Sequence, residues 1–454
     1  MTADRPARLA GWPDALARGA LAFLVVAAVG QALALAVWVV GDTGASLAAF
    51  VRIGWMYVGA FHHVAIELDV PDLDVNVTGP GATSLSLGVA LLTITGAAVW
   101  LLSHEGRAVA DRVGGGPLAR LWHGAKVAPG YALPAFALAA IVEVRTPLRL
   151  GAFASGELHV ALSTWQALVF PLAIAAAAGV VGGLRSSIGS RDPEARPPPV
   201  VAAAVAGGWR MFALAIVLSL AGLFVVGVVR PDGPEALLTP STARYWRAVL
   251  DRPAPGLVLL GHHLALAPNE ALWALVPAMG GCVGVRGSAS ADVLCYGRFP
   301  TAVGTTLQPL TPGEAVPLPL GDTTFARAPI GYALFLLVPI VATTLGGRRA
   351  AERHGTRGRE AVGVGWAAGV VFAGLVTAGA LLSTVTIGYG AAFGEGSSAG
   401  WVIVGPNVVT AGLLALAWGV VGGVFGAVTS GWGRDLRSRE PDRSSRGAAP
   451  TEPR

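Results

Sequence analysis

Two double histidines are the residues in this chain best suited to chemistry. His62-His63 is followed by Glu67, and His262-His263 by Glu270, both in apolar surroundings. On helices, Glu67 four residues after His63 and Glu270 seven after His263 would each share a face with an imidazole. Brought together, two imidazole pairs with their carboxylates could hold zinc or another divalent ion. They could also change charge in mildly acidic water. The plainer reading is preferred: amphipathic side chains collect at a membrane–water boundary. No metal or other cofactor is expected.

Cys282 and Cys295 are the only cysteines. On a face open to an oxidising compartment they would form a disulfide. Closing so short a loop would stabilise the local fold by about 3 kcal/mol on chain entropy alone. Glu143 lies near Arg145 and Arg149, which reads as an interfacial ion pair. Gln31, Gln166 and Asn407 are the amides within apolar stretches. Asn407 follows Pro406, which predicts a capped kink in the last span or, more sharply, a contact for a solute. The chain has no phosphate-binding loop, no Gly-x-Ser-x-Gly elbow and no His-Glu-x-x-His, so no enzyme is expected. The Asn76-Val77-Thr78 sequon has meaning only in a eukaryote, and the composition suggests none.

The elements that must position these residues are set by composition. Of 454 residues, 54% are hydrophobic and 13% charged, and mean hydropathy is +0.62. Such a chain needs lipid around it. The net charge of +5 is carried by arginines and the single lysine, Lys126, without aromatic interleaving, so nucleic-acid binding is not expected. Eight stretches are apolar and long enough to span, near 21–40, 85–103, 127–144, 161–184, 211–230, 329–346, 363–387 and 402–427. The first is too long for a signal peptide and reads as a retained span. Two more stretches, 46–66 and 256–280, carry the double histidines and read as re-entrant or interfacial helices on the outside face. The predicted class is therefore an all-α polytopic membrane protein.

Arginine sets its direction. Segments 1–20, 104–126, 185–210, 347–362 and 428–454 hold 22 of the 32 basic residues against 12 acids. The positive-inside rule makes these cytoplasmic, with both termini inside. Glu67, Asp69, Asp72 and Asp74 crowd an outside loop.

The chain also repeats itself. Gly106-Arg107-Ala108-Val109-Ala110-Asp111-Arg112 is echoed by Gly347-Arg348-Arg349-Ala350-Ala351-Glu352-Arg353, at an offset of 241 residues. Gly179-Val180-Val181-Gly182-Gly183 returns unchanged as Gly419-Val420-Val421-Gly422-Gly423, at an offset of 240. The double histidines recur at 200. Self-similarity predicts two parallel repeats of about four spans each, related by a pseudo-two-fold axis along the membrane normal. The expected organisation is a first repeat, 1–190; a Pro-rich cytoplasmic linker, 191–205; a second repeat, 206–430, with an outside insert, 281–328; and a disordered cytoplasmic tail, 431–454.

The stretch Ala267-Pro268-Asn269-Glu270-Ala271-Leu272-Trp273-Ala274-Leu275 carries a Pro-Asn-x-x-x-Trp-Ala pattern. With Gly280-Gly281-Cys282-Val283-Gly284, Gly54-Trp55 and the Gly-Arg-x-x-Ala loop, it resembles the actinobacterial streptophobe proteins and their PerM-like cell-division relatives. That resemblance covers most of the chain. It implies a non-enzymatic role near the bacterial cell envelope or division machinery and supplies no catalytic residues. The sequence thus leads to a scaffold of the cytoplasmic membrane whose partners are membrane lipids and other envelope proteins. Its rival is a permease for a small solute or lipid with a site between the repeats. Oligomeric state is not legible.

Overall fold

The structure is a computed structural model. It describes residues 10–41, 46–75, 79–150, 154–229, 250–251, 253–287, 291–295, 298–300, 325–327, 330–355, 359–393 and 396–438. The chain runs through α1 (Trp12–Gly41), α2 (Leu47–Ala60), β1 (Ile66–Val75), β2 (Gly79–Gly88), α3 (Leu92–Val113), α4 (Pro117–Ala125), α5 (Val127–Ile141), β3 (Glu143–Leu150), β4 (Ala154–Leu162) and α6 (Thr164–Gly189). It continues with α7 (Pro199–Val229), α8 (Pro253–Ala278), β5 (Cys282–Gly287), β6 (Ala291–Cys295), β7 (Arg298–Pro300), β8 (Phe325–Arg327), α9 (Leu337–His354), α10 (Arg359–Ser383), β9 (Val385–Phe393), β10 (Gly396–Pro406) and α11 (Val408–Ser438).

Among the described residues, seven helical stretches are long and apolar enough to cross a membrane, one of them α4 and α5 taken together (Pro117–Ile141). The expected span at 85–103 is not among them. Its first residues finish β2, and α3 carries His104, Glu105, Arg107, Asp111 and Arg112 in its last turns. α2, with 14 residues, is too short to cross. α8 is not one of the seven either.

The all-α expectation holds only in part. The described residues are mostly helical, but among them ten strands form one antiparallel sheet in the order β3-β4-β1-β2-β9-β10-β5-β6-β7-β8. Hydropathy averaging hid it, because β1 alternates Ile66, Leu68 and Val70 with Glu67 and Asp69, the two-residue period of a strand with one apolar face. The ends of several expected spans, such as 143–144, 161–162, 385–387 and 402–406, are strand. Val144, Val160 and Leu162 pack with Trp55 and Met56 of α2, so the apolar side of the first-half strands is covered by helix. The two halves do not meet as a two-fold would require. A two-fold would place like strands together, yet β2 pairs with β9, from Gly81↔Phe393 to Gly88↔Thr386.

The sheet edge at β3 is guarded. Arg52 Nη1 on α2 donates to the Glu143 carbonyl at 3.1 Å, so that carbonyl points away from β4. Residues two apart along a strand point the same way, and this puts Pro147 where an outward N–H would otherwise sit. Proline and a capping charge both blunt an edge. Pro147→Val is expected to promote concentration-dependent association in detergent, read by light scattering against the wild-type chain. Unchanged scattering would remove the guard role.

At the opposite end from the sheet lie the Gly106–Arg112 and Gly347–Arg353 turns. The start of α1 is there too, with Asp14 2.6 Å from Arg112 and Arg18 2.6 Å from Glu105. α11 returns to the same end, where Gly426 faces Thr344 and Arg348. α11 continues as helix to Ser438, past the start of the expected tail; 439–454 lies outside the described residues. The linker is shorter than expected: a single 3-10 turn, Pro193–Ala195, precedes α7, which starts on Pro199. Of the 281–328 insert, only β5–β8 are described. Arg149's side chain and the 76–78 sequon also fall outside the described residues.

Candidate functional site

The double histidines do not occupy equivalent places. His62 and His63 lie at the exit of α2, whereas His262 and His263 lie in the first half of α8. α2 ends in a turn in which Val64 N donates to Gly59 O at 3.1 Å and His63 N to Ala60 O at 3.3 Å. This pair of bonds is a Schellman motif, and its left-handed position is held by His63, with φ of 62°. α8 ends the same way, with Gly281 N to Val276 O, Gly280 N to Pro277 O, and Gly280 at φ 99°. By position in this turn, Gly280 is the counterpart of His63, and the 200-residue offset is not structural.

Each first histidine is held by its own helix and by one tyrosine. Burial pushes the His62 imidazole down to about 4, so it is neutral at physiological pH. Its Nδ1–H donates to Val58 O at 2.7 Å, and Nε2 then accepts from Tyr131 OH at 2.6 Å. His262 repeats the pattern with Val258 O at 2.8 Å and Tyr57 OH at 2.6 Å. The second bond crosses from one half of the chain to the other.

The expected carboxylate partners divide. His263 Nδ1 lies 3.0 Å from Glu270 Oε1, both nearly out of solvent. Glu67 does not share a helix face with His63, because the chain has already turned into β1, where Glu67 pairs with Ser86. Among the described residues no group of three or more His, Cys, Asp or Glu could hold a metal ion. The divalent-ion arrangement is therefore not formed. The reason is geometric: the helix that would align Glu67 with His63 stops before it.

What the structure does assemble is a clip around α8. Asn269 Oδ1 accepts from Leu92 N at 3.2 Å, and its Nδ2 donates to Ala90 O at 2.8 Å. Thr93 Oγ1 donates to Leu264 O at 2.6 Å. Four residues beyond Asn269, Trp273 Nε1 donates to Ser383 O at 3.0 Å, at the end of α10. Trp418 Nε1 donates to Met279 O at 3.0 Å. α8 thus grips the first half through Asn269 and the second through Trp273. It does so directly beneath the β2–β9 junction, whose last pair is Gly88↔Thr386. The cores agree: Ala265 joins Phe23, Phe61 and Tyr131, while Leu272 and Leu275 join Met211 and Phe372. The Pro-Asn-x-x-x-Trp spacing made this stretch visible in the sequence, but nothing there indicated what Asn269 and Trp273 would bond.

The repeated glycines form a seam in each half. A Cβ at Gly106 would lie 2.8 Å from Gly179 Cα, and one at Gly124 would strike the Gly179 carbonyl. In the second half, a Cβ at Gly347 would strike the Gly423 carbonyl, and one at Gly365 would lie 2.5 Å from it. Gly124 and Gly365 were missed by sequence reading, although they stand at the same offset as Gly106 and Gly347. Small residues let helix backbones come this close. Arg107 pairs with Asp111 at 3.3 Å, and Arg348 with Glu352 at 2.9 Å, one turn along each helix.

The other candidates have simple places. Cys282 and Cys295 are joined by a disulfide across paired positions of β5 and β6. Gln166 Oε1 accepts from Ala65 N, and Gln31 Nε2 donates to Val51 O. Asn407 is not the cap of a mid-span kink. It precedes α11, its Oδ1 accepts from Thr410 N at 3.0 Å, and Pro406 ends β10. One cavity, of about 10 Å³, is lined by Phe23, Trp55, His62, Leu138, Leu162 and Pro171 among others. That is room for roughly one water.

Glu143 sits between Arg145 at 3.0 Å and His159 at 2.7 Å. Hydrogen bonds from Arg145 first and His159 second hold its carboxyl below the usual range. A depressed carboxyl stabilises the fold above its unfolded pKa and loses that contribution as pH falls through the folded value. The melting temperature of Glu143→Gln should therefore converge with wild type as pH falls below the ordinary glutamate range, and be lower than wild type at neutral pH. A difference independent of pH would contradict this. The effect is small, since the group is solvent-exposed.

No protein-family model, no curated protein and no solved structure matches this chain.

Proposed function

We propose that this chain is a non-catalytic scaffold of the bacterial cell envelope, related in role to the PerM-like proteins its motifs resemble. It sits in the cytoplasmic membrane with both termini and the arginine turns inside and the β-sheet outside. It is built from two copies of one unit: helix, helix, strands, two helical segments, hairpin, helix. The glycine seams support this reading, since Gly106–Gly179 and Gly347–Gly423 are like contacts between like helices, at offsets of 241 and 244 residues. Its partners are membrane lipids and other envelope membrane proteins that meet the outer sheet or the lipid-facing helices.

The observation that carries the scaffold reading is the join between the halves. A permease of two repeats works by rocking one against the other around a site between them. Here an unbroken β2–β9 ladder and the α8 clip oppose that motion. Co-purification in mild detergent, followed by mass spectrometry, tests the reading. Stable envelope membrane partners are the expected result. Solute uptake by vesicles containing the purified chain, without such partners, would replace the scaffold with the permease.

A further inference from the structure

The two arginine turns differ in how their charge is answered. In the first half, Arg18 holds Asp14 and Glu105, Arg112 holds Asp14, and Arg107 and Arg120 share Asp111. In the second half, Arg348 and Arg349 share one carboxylate, Glu352, at 2.9 and 3.9 Å. Arg353 and Arg359 have no ion pair among the described residues, and all four side chains are exposed. Two of the three acids that neutralise the first half, Glu105 and Asp14, have no counterpart here. Glu105 precedes Gly106, but Gly346 precedes Gly347, and the first ten residues of α7 contain no counterpart of Asp14.

The depth of this turn is marked by indoles. Trp209 on α7 and Trp366 on α10 are 59% and 54% exposed. The backbone beside Trp209 packs where α9 and α10 meet it, with Gly207 against Ala350 and Ala368. Exposed indoles settle at the headgroup layer of a bilayer, which puts the neighbouring guanidiniums level with phosphate. Guanidinium binds phosphate through two parallel donors and gives up its hydration more readily than an ammonium.

We propose that the end of α9 and the start of α10 dock anionic phospholipid headgroups through Arg348, Arg349, Arg353 and Arg359, and that the first-half turn does not. The inference rests on the chain being seated in a membrane, as in the preceding reading. Each basic residue near an anionic surface contributes about fivefold in affinity.

The full chain reconstituted into nanodiscs of mixed phosphatidylglycerol and phosphatidylcholine provides the test, with retained lipid counted by native mass spectrometry. Wild type should keep phosphatidylglycerol in preference. The triple variant Arg349→Gln, Arg353→Gln, Arg359→Gln should lose that preference by about tenfold or more, and the corresponding Arg→Lys variant should keep most of it. Arg107→Gln with Arg112→Gln should match wild type. Melting temperature monitors folding of each variant. Equal retention in the triple variant, or an equal loss in the first-half variant, would overturn the proposal. Release of phosphatidylglycerol by inorganic phosphate alone would do so too, since it would mark a site for soluble phosphate. A wild-type chain that does not enter nanodiscs would sink the membrane reading itself, and this inference with it.

Discussion

Gly369→Ala is expected to destabilise the protein by about 3 kcal/mol, whereas Gly374→Ala, in the same helix, should be neutral or stabilising by up to ~1 kcal/mol. The difference lies in what a methyl group would meet. At Gly369 it would lie 2.5 Å from the Gly419 carbonyl oxygen and the Val420 nitrogen, which are backbone and cannot rotate aside. At Gly374 nothing lies within 4 Å. Alanine favours helix over glycine wherever it has room. Gly365→Ala, facing the Gly423 carbonyl, should behave like Gly369→Ala, and Gly363→Ala like Gly374→Ala. Thermal unfolding in detergent, with monodispersity by size exclusion, separates the pairs. Four similar melting temperatures would mean that α10 and α11 are not packed at their glycines.

Asn269→Leu should cost about 2 kcal/mol, because it leaves the Leu92 amide and the Ala90 carbonyl without their partners in a buried junction. Asn269 is itself buried, so water cannot readily take over. Asn269→Asp keeps the acceptor for Leu92 N and loses the donor to Ala90 O, and should fall between leucine and wild type. Trp273→Phe keeps a ring in the core and loses only the bond to Ser383 O, costing about 1 kcal/mol. The location of the effect is the sharper readout. Hydrogen exchange should rise at 86–92 and 383–388, around the β2–β9 junction, and stay unchanged in the β3–β4 hairpin, which is remote from α8. A uniform rise would mean that Asn269 supports overall stability without joining the halves.

The guarded β3 edge and the α8 clip explain an asymmetry in what could be read in advance. Hydropathy made the long helices legible, because a lipid-facing helix must be apolar over many consecutive residues. Their ends were not legible: 85–88 and 402–406 are apolar strand, and an apolar run looks alike in either state until its register is known. The histidines were conspicuous, yet their partners Tyr57 and Tyr131 were invisible, since neither stands at a helical spacing from its histidine. Asn407 was noticed for the right reason, a proline that removes a donor, but that proline ends a strand and leaves Asn407 to cap the helix that follows.

By itself, the sequence pointed to lipid as the solvent, to seven long helical stretches, to a common end for the two arginine turns and to the repeated glycines, though not to their partners Gly124 and Gly365. Each of these follows from local composition or from a spacing along one helix. Tertiary structure alone decided that the segments between the long helices join as one sheet, that β2 takes β9 and no like strand, and that α8 grips both halves. Those outcomes depend on pairings between residues hundreds of positions apart, such as Gly88 with Thr386, where the backbone supplies the bonds and the side chains leave no mark in the sequence.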